Sequence, residues 1–241
     1  MKKISLLVLF LSLVGCKKEY TPENKMKEDV TFLADDKLEG RGTGTEGERK
    51  AADYIAKRFK DLGIEGKGTD GYFQDFTFTP KTDPHSEAKY TSVNEDGSIT
   101  GRNVLGFIDN NAPQTVVIGA HYDHLGYGGE GSLDRSEEKA IHNGADDNAS
   151  GTAGVLETID ACLAMPSPPK RSILFAFWDG EEQGLLGSKH WVANPTIDLS
   201  RVAFMINVDM IGRMEDHRLE VYGSRTALGL RRLVSEVNFG S

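Results

Sequence analysis

Three apolar runs in this chain, residues 115–120 (TVVIGA), 172–178 (SILFAFW) and 202–208 (VAFMINV), lack the polar alternation of a strand with one wet face. A strand that is apolar on both sides must be covered on both sides, as in the middle of a sheet packed between helices. Helical spacing lies between and before these runs. Ala51, Tyr54, Ile55, Phe59 and Leu62 recur on one face of residues 45–62, and Val155, Ile159, Cys162 and Leu163 within residues 150–163. Residues 72–79 and 103–108 are further strand candidates, with a helix near 185–192, a strand at 219–222 and an amphipathic helix from Ala227. This alternation predicts one α/β domain, a three-layer α/β/α sandwich around a mixed, mainly parallel central sheet. Sheets of this kind place their sites at the carboxyl ends of strands.

What stands just past those strand ends is chemically dense. His121-Tyr122-Asp123-His124 follows the first run, Asp179-Gly180-Glu181-Glu182 the second, and Asp209 the third. A fourth group, Gly144-Ala145-Asp146-Asp147-Asn148-Ala149-Ser150-Gly151, opens the helix after a long loop at residues 122–144. Each has an ordinary structural explanation by itself: Asp146 or Asp147 as a helix cap, Asp209 or the glutamates as turn residues. All of them at one edge of one sheet fit another chemistry, hydrolysis by two metals ~3.5–4 Å apart. In such a site a carboxylate reaching both ions is the natural bridge, and imidazole and carboxylate ligands suit zinc. An Asp two residues after a ligating His fits the role of fixing its ring. Adjacent acids on a strand would point to opposite faces. On a turn, Glu181 and Glu182 can serve one site, one holding metal while its neighbour moves protons.

The set HYD, GADDNASG, WDGEEQGLLGS and NVDMIG resembles the co-catalytic zinc exopeptidases of metallopeptidase family twenty-eight, from the Gly-rich lead-in near Arg41 to about Gly212. The resemblance implies two Zn2+ ions per complete active site. His121 and Asp209 would bind one, Glu182 the other, and Asp147 would bridge, with Asp146 as the alternative bridge. Glu181 would be the general base and acid, and Asp123 would orient His121. The implied reaction is removal of N-terminal residues from peptides with a free N-terminus, by a metal-activated water. Zinc rather than cobalt or manganese follows from ligand type and family habit, since the affinity order alone does not decide it. Tyr127 and the loop at 125–142 are candidates for the substrate pocket wall. Two other readings keep the scaffold. A glutaminyl cyclase would use a single zinc and as a rule lacks the histidine of the first pair, whereas His121-x-Asp123 is intact here. A binding domain would show decayed ligands. The space between residues 68 and 115 is too short for an inserted protease-associated domain.

The resemblance also implies one more ligand, a histidine well downstream of Asp209. The sequence offers only His217, close to Asp209 and beside an apparent strand. A missing C-terminal part carrying that histidine is therefore expected, or else a mono-zinc site of His121, Asp147 and Asp209.

The leader MKKISLLVLFLSLVGC pairs Lys2 and Lys3 with an apolar stretch too short to cross a bilayer, which takes ~20 residues. Its layout is that of a secretory signal, and LVGC resembles the bacterial lipobox. The expected organisation is a signal peptide at 1–16 with Cys16 lipidated, a tether at 17–27 and the peptidase domain at 28–241. That places the protein in a bacterial cell envelope, held to membrane through Cys16. Only Cys162 then remains, so no internal disulfide is available and Cys162 is expected in the core. The net charge of −9 argues against a nucleic-acid partner. GRGTGTEG follows no strand and has no Lys-Ser/Thr partner, so it is expected to shape a loop rather than cradle phosphate.

Overall fold

The computed structural model describes residues 21–80, 90–128, 132, 140–214, 216 and 218–239. The leader with Cys16, the start of the expected tether, much of the loop after Gly128 and His217 lie outside the described residues. The first element among the described residues is helix α1 (Pro22–Leu33), where a tether was expected as far as residue 27. Pro22 supplies a preset φ in the first turn, and the Thr21 hydroxyl accepts from the Asn24 N–H at 3.2 Å. The helix is held by charge as much as by apolar contact. Asp29 is fully buried and receives Arg58 and the Tyr54 hydroxyl, while Lys25 and Arg58 reach Asp160 at 3.1 and 3.3 Å. Such pairings carry no apolar periodicity, so a polar stretch reads as a tether until its partners are seen.

A 3-10 turn (Asp36–Arg41) leads to α2 (Glu46–Asp61), capped by Thr45, whose hydroxyl accepts from the Glu48 N–H at 3.3 Å. The strands are β1 (Glu65–Gly66), β2 (Phe73–Phe78), β3 (Ile99–Ile108), β4 (Thr115–His121), β5 (Ser172–Trp178) and β6 (Val202–Asn207). Between them stand α3 (Gly151–Leu163) and α4 (Leu186–Ala193), and α5 (Leu230–Phe239) is the last described element. The sheet runs β1-β3-β5-β4-β6, with β2 sharing the outer edge of β3. Among the described residues β4 is parallel to both β5 and β6, whereas β3 is antiparallel to β1, β2 and β5. The sheet is therefore mixed but not mainly parallel. β1 and β2 both pair antiparallel with β3 on one side of β5, an arrangement that needs no helical crossover and so leaves no helix signal in the sequence.

Both faces of β5 are buried, and its alternate side chains build two cores. Ile173, Phe175 and Phe177 pack with Leu33, Ile55, Phe59, Leu156 and Ile159 beneath α1, α2 and α3, and Cys162 lies partly buried against this cluster. Leu174, Ala176 and Trp178 face the other way, with Leu105, Phe107, Val117 and Trp191 of α4. Each fully buried Phe or Leu adds ~1.5–3 kcal/mol over its exposed state.

Two expectations at the C-terminal side are corrected. Among the described residues β6 is an edge strand, with Met205 46 % and Ile206 43 % exposed, not a strand covered on both faces. Residues 219–222 form no strand; Leu219, Val221 and Tyr222 are exposed in irregular chain, and α5 starts at Leu230 rather than Ala227. Among the described residues no helix is long and apolar enough to cross a membrane.

Candidate metal centre

Parallel pairing brings the ends of β4, β5 and β6 to one edge of the sheet. His121 lies opposite Trp178, and Gly119 opposite Asn207, so Asp179–Glu182 and Asp209 emerge beside His121. The wide turn Ala145–Ser150 at the start of α3 adds Asp147, whose peptide bond to Asn148 is cis.

His121 is buried, 2 % exposed, with its Nε2 3.1 Å from Asp147 Oδ1 and 3.4 Å from Asp209 Oδ1. Its Nδ1 faces Asp123 instead, 3.2 Å from the backbone oxygen and 3.5 Å from Oδ1. Burial works to lower the pKa of this imidazole, but hydrogen bonds with Asp123, Asp147 and Asp209 outweigh it and push the value up to about 12. A buried imidazole surrounded by three carboxylates is a donor set short of positive charge, which a cation supplies. Among the described residues two groups have donor atoms within 4.8 Å of one another: His121, Asp147 and Asp209, and His124, Asp147 and Glu182. Asp147 belongs to both. Imidazole and carboxylate oxygen in this proportion fit zinc, with room for a position not taken by protein.

The structure separates Asp147 from its neighbour. Asp146 Oδ1 accepts from the Gly212 N–H at 2.8 Å and takes no part in either donor group. Asp146 is part of a clasp on the segment that carries Asp209. Asn148 donates to Val208 O at 3.0 Å and accepts from the Met210 N–H at 3.1 Å, and the Ser150 hydroxyl accepts from the Ile211 N–H at 3.0 Å. These three side chains of one motif set the main chain on either side of Asp209.

Glu182 has its Oε1 2.7 Å from His124 Nδ1. Glu181 touches no partner in either donor group, yet lies close enough to His121, Asp123, Glu182 and Asp209 to feel them. Burial raises its pKa above the usual glutamate value; His121 opposes the shift, and the carboxylates of Asp123, Glu182 and Asp209 add to it. Gly180, with φ of 69°, gives the turn a conformation that side chains rarely adopt.

Two contributors lay beyond the sequence reading. His124 stands in the quoted HYDH group without a role, because nothing in spacing tells a loop histidine that faces inward from one that faces water. Arg41 is fully buried and gathers four backbone oxygens from three segments: Leu33, Tyr122, Asn143 and Gly144. Burial draws its pKa down to about 10, while Asp123, Asp147 and Glu182 hold it up, so it stays a cation at neutral pH. It ties the end of β4 to the segment before Asp147. Tyr127 donates to Glu39 at 2.9 Å and lines a cavity of about 510 Å³ with Phe32, Leu38 and Lys50. None of the metal-donor residues lines that cavity.

The sequence model of peptidase family M28 matches residues 103–239. Leupeptin-inactivating enzyme 1 of Streptomyces exfoliatus is 33 % identical over 115 residues, covering 47 % of this chain and 23 % of that protein. Leucine aminopeptidase 1 of Trichophyton rubrum is 34 % identical over 113 residues, covering 45 % and 28 %. The chain spans less than half the length of the curated relatives it matches. Among solved structures, a leucine aminopeptidase precursor from Bacteroides thetaiotaomicron superposes with a TM-score of 0.61 at 20 % identity, covering 89 % of this chain and 70 % of that one. The glutaminyl cyclase of Fimbriiglobus ruber superposes with a TM-score of 0.64 at 20 % identity, covering 90 % and 69 %. Identities this low show a shared fold.

Proposed function

The chain belongs to peptidase family M28, and from that premise we propose that it is a zinc-dependent exopeptidase, an aminopeptidase that removes N-terminal residues from peptides. The observation that carries this reading is the sharing of Asp147 between two groups of imidazole and carboxylate donors. His121 and Asp209 would hold one zinc, Glu182 the other and Asp147 both. Zinc there would supply Lewis acidity toward the scissile carbonyl and toward the attacking water. Glu181 takes the proton from that water and returns it to the leaving amine. Asp123 keeps the His121 ring turned so that Nε2 faces the donors, and it fixes the turn that carries both glutamates. The free α-amino group of a peptide is a cation, and the carboxylates of this edge attract it, which confines cleavage to the end of a chain.

The expected lipid anchor at Cys16 and a place in the cell envelope are part of the same proposal, supported by the leader sequence alone. A Cys16→Ser variant that still partitions with membranes would refute the anchor.

The activity is tested with aminoacyl anilides on the zinc-loaded chain. Hydrolysis that stops on chelation, returns with zinc and spares N-acetylated substrates is the expected result. Folded, zinc-loaded protein that leaves anilides intact overturns it. Release of ammonia from a peptide led by glutamine, without anilide cleavage, would move the reading to a glutaminyl cyclase.

A further inference from the structure

The backbone ladder between β3 and β5 stops at Val104 opposite Phe177, and beyond it side chains take over the pairing. Asn103 Oδ1 accepts from the Asp179 N–H at 3.2 Å, and the Arg102 N–H donates to Asp179 Oδ2 at 2.7 Å. The other end of the Asn103 amide donates from Nδ2 to Gly187 O at 2.9 Å. One amide thus binds both ends of the segment that carries Glu181. We propose that Asn103 is a positioning residue for Glu181, closing the turn of residues 179–187 at its base and so fixing where that carboxylate stands. The proposal rests on the exopeptidase reading, in which Glu181 moves the proton, and it adds no metal ligand.

Asn103, Gln74 and Asp179 are fully buried. A buried amide needs partners for its oxygen and its nitrogen alike, so its neighbours set which way round it points. Gln74 of β2 sets it here. Its Oε1 accepts from Asn103 Nδ2 at 3.1 Å, while its own Nε2 donates to Asn194 O at 2.8 Å, at the end of α4. The start of α4 is drawn just as close. A Cβ added to Gly187 would come within 2.1 Å of Asn103 Oδ1 and 2.4 Å of Asp179 O, so only a bare backbone fits. Between its two anchored ends the chain takes a conformation that is costly by itself: Leu185 has φ of 64°, in the left-handed region. Such strain persists only where the surroundings hold it. Asp123 holds the tip of the turn through the Glu181 and Glu182 N–H groups, but a tip held alone can swing with its base. A proton-transferring carboxylate must stay within hydrogen-bond reach of the water it serves. A base displaced by ~1 Å loses rate while the substrate still binds.

The competing role for Asn103 is a buried polar group that stabilises the fold without bearing on the reaction. Turnover and local opening separate the two. In the full chain at saturating zinc, Asn103→Ala is expected to lower kcat for an aminoacyl anilide by ~10²-fold, with KM far less affected. In a Glu181→Gln background the same change should cost little more, because residues that act through one another are not additive. Amide hydrogen exchange should accelerate across residues 180–187 and keep the parental rate in β4 and α3. Gly187→Ala, which presses on the Asn103 amide from the α4 side, should reproduce both effects. Near-parental kcat, a further ~10²-fold loss in the Glu181→Gln background, or unchanged exchange across residues 180–187 would each overturn the inference and leave the exopeptidase reading in place. Folded, zinc-loaded parent chain that leaves anilides intact overturns that reading, and this inference with it. Should Asn103→Ala fail to fold by circular dichroism, Gly187→Ala decides alone.

Discussion

Asp123 grips Glu181 by its main chain: its Oδ1 accepts from the Glu181 N–H at 3.1 Å and its Oδ2 from the Glu182 N–H at 3.2 Å. Sequence spacing pointed only to the His121 ring as its business. The carboxylate therefore couples the end of β4 to the turn after β5, and both sides of the metal centre depend on it.

Asp123→Asn replaces one acceptor oxygen by an NH2 group, which cannot accept from either backbone donor. The turn and the His121 ring should both loosen, and zinc affinity should fall by ~10–100-fold. Equilibrium dialysis against a competing chelator measures it, and an unchanged affinity would make Asp123 incidental.

Glu181→Gln should keep its metal and lose at least ~10²-fold in turnover, the lower range for a lost general base. Near-normal turnover with full zinc would take Glu181 out of the mechanism.

Asp147→Ala should empty both positions together, because the carboxylate belongs to both donor groups. Elemental analysis showing one ion at full occupancy would mean that Asp147 is not shared.

The layer behind the site makes a prediction about stability. The Tyr122 hydroxyl lies within hydrogen-bond reach of both Glu48 Oε1 and Arg102 O, and it has a single proton to donate. Both contacts are satisfied when Glu48 is protonated and donates to the Tyr122 oxygen. Burial, helped by Asp123, raises the Glu48 pKa from 4.5 to about 7 against Arg49, Tyr122 and Arg102. A carboxyl that holds its proton in the folded state and releases it in the unfolded state destabilises the fold as pH rises between those two values. From pH 4.5 to 7 the loss from this group is on the order of 3 kcal/mol. Glu48→Gln has no proton to lose, so its melting temperature should decline less than that of the parent over this window. Parallel curves for the two proteins would sink the idea.

How legible was this architecture? β5 matches its apolar run residue for residue, and α2 begins one residue after its Thr45 cap, because burial on both faces and side-chain capping are local signals. The acids and His121 also meet as their strand-end positions foretold. The misses share a physical cause. Asp29 becomes a core residue through Arg58 and Tyr54, far along the chain. Asn148 gains its meaning from Val208 and Met210, and Arg41 from carbonyls on three segments. Long-range hydrogen bonds of polar residues leave no periodic trace, so a sequence shows which side chains carry chemistry before it shows which ones hold them.

On the proposed two-zinc reading, the exposed edge strand β6 would give the two metal positions unequal tenure. Asp209 stands just past β6, which among the described residues has one strand neighbour, whereas Glu182 follows β5, paired along both edges. Edge elements open locally at a smaller free-energy cost than central ones. Fraying of β6 would carry Asp209 away from His121 while the turn after β5 stays in place. The ion beside His121 should then leave first in mild denaturant, at a rate tied to amide hydrogen exchange along β6, before global unfolding begins.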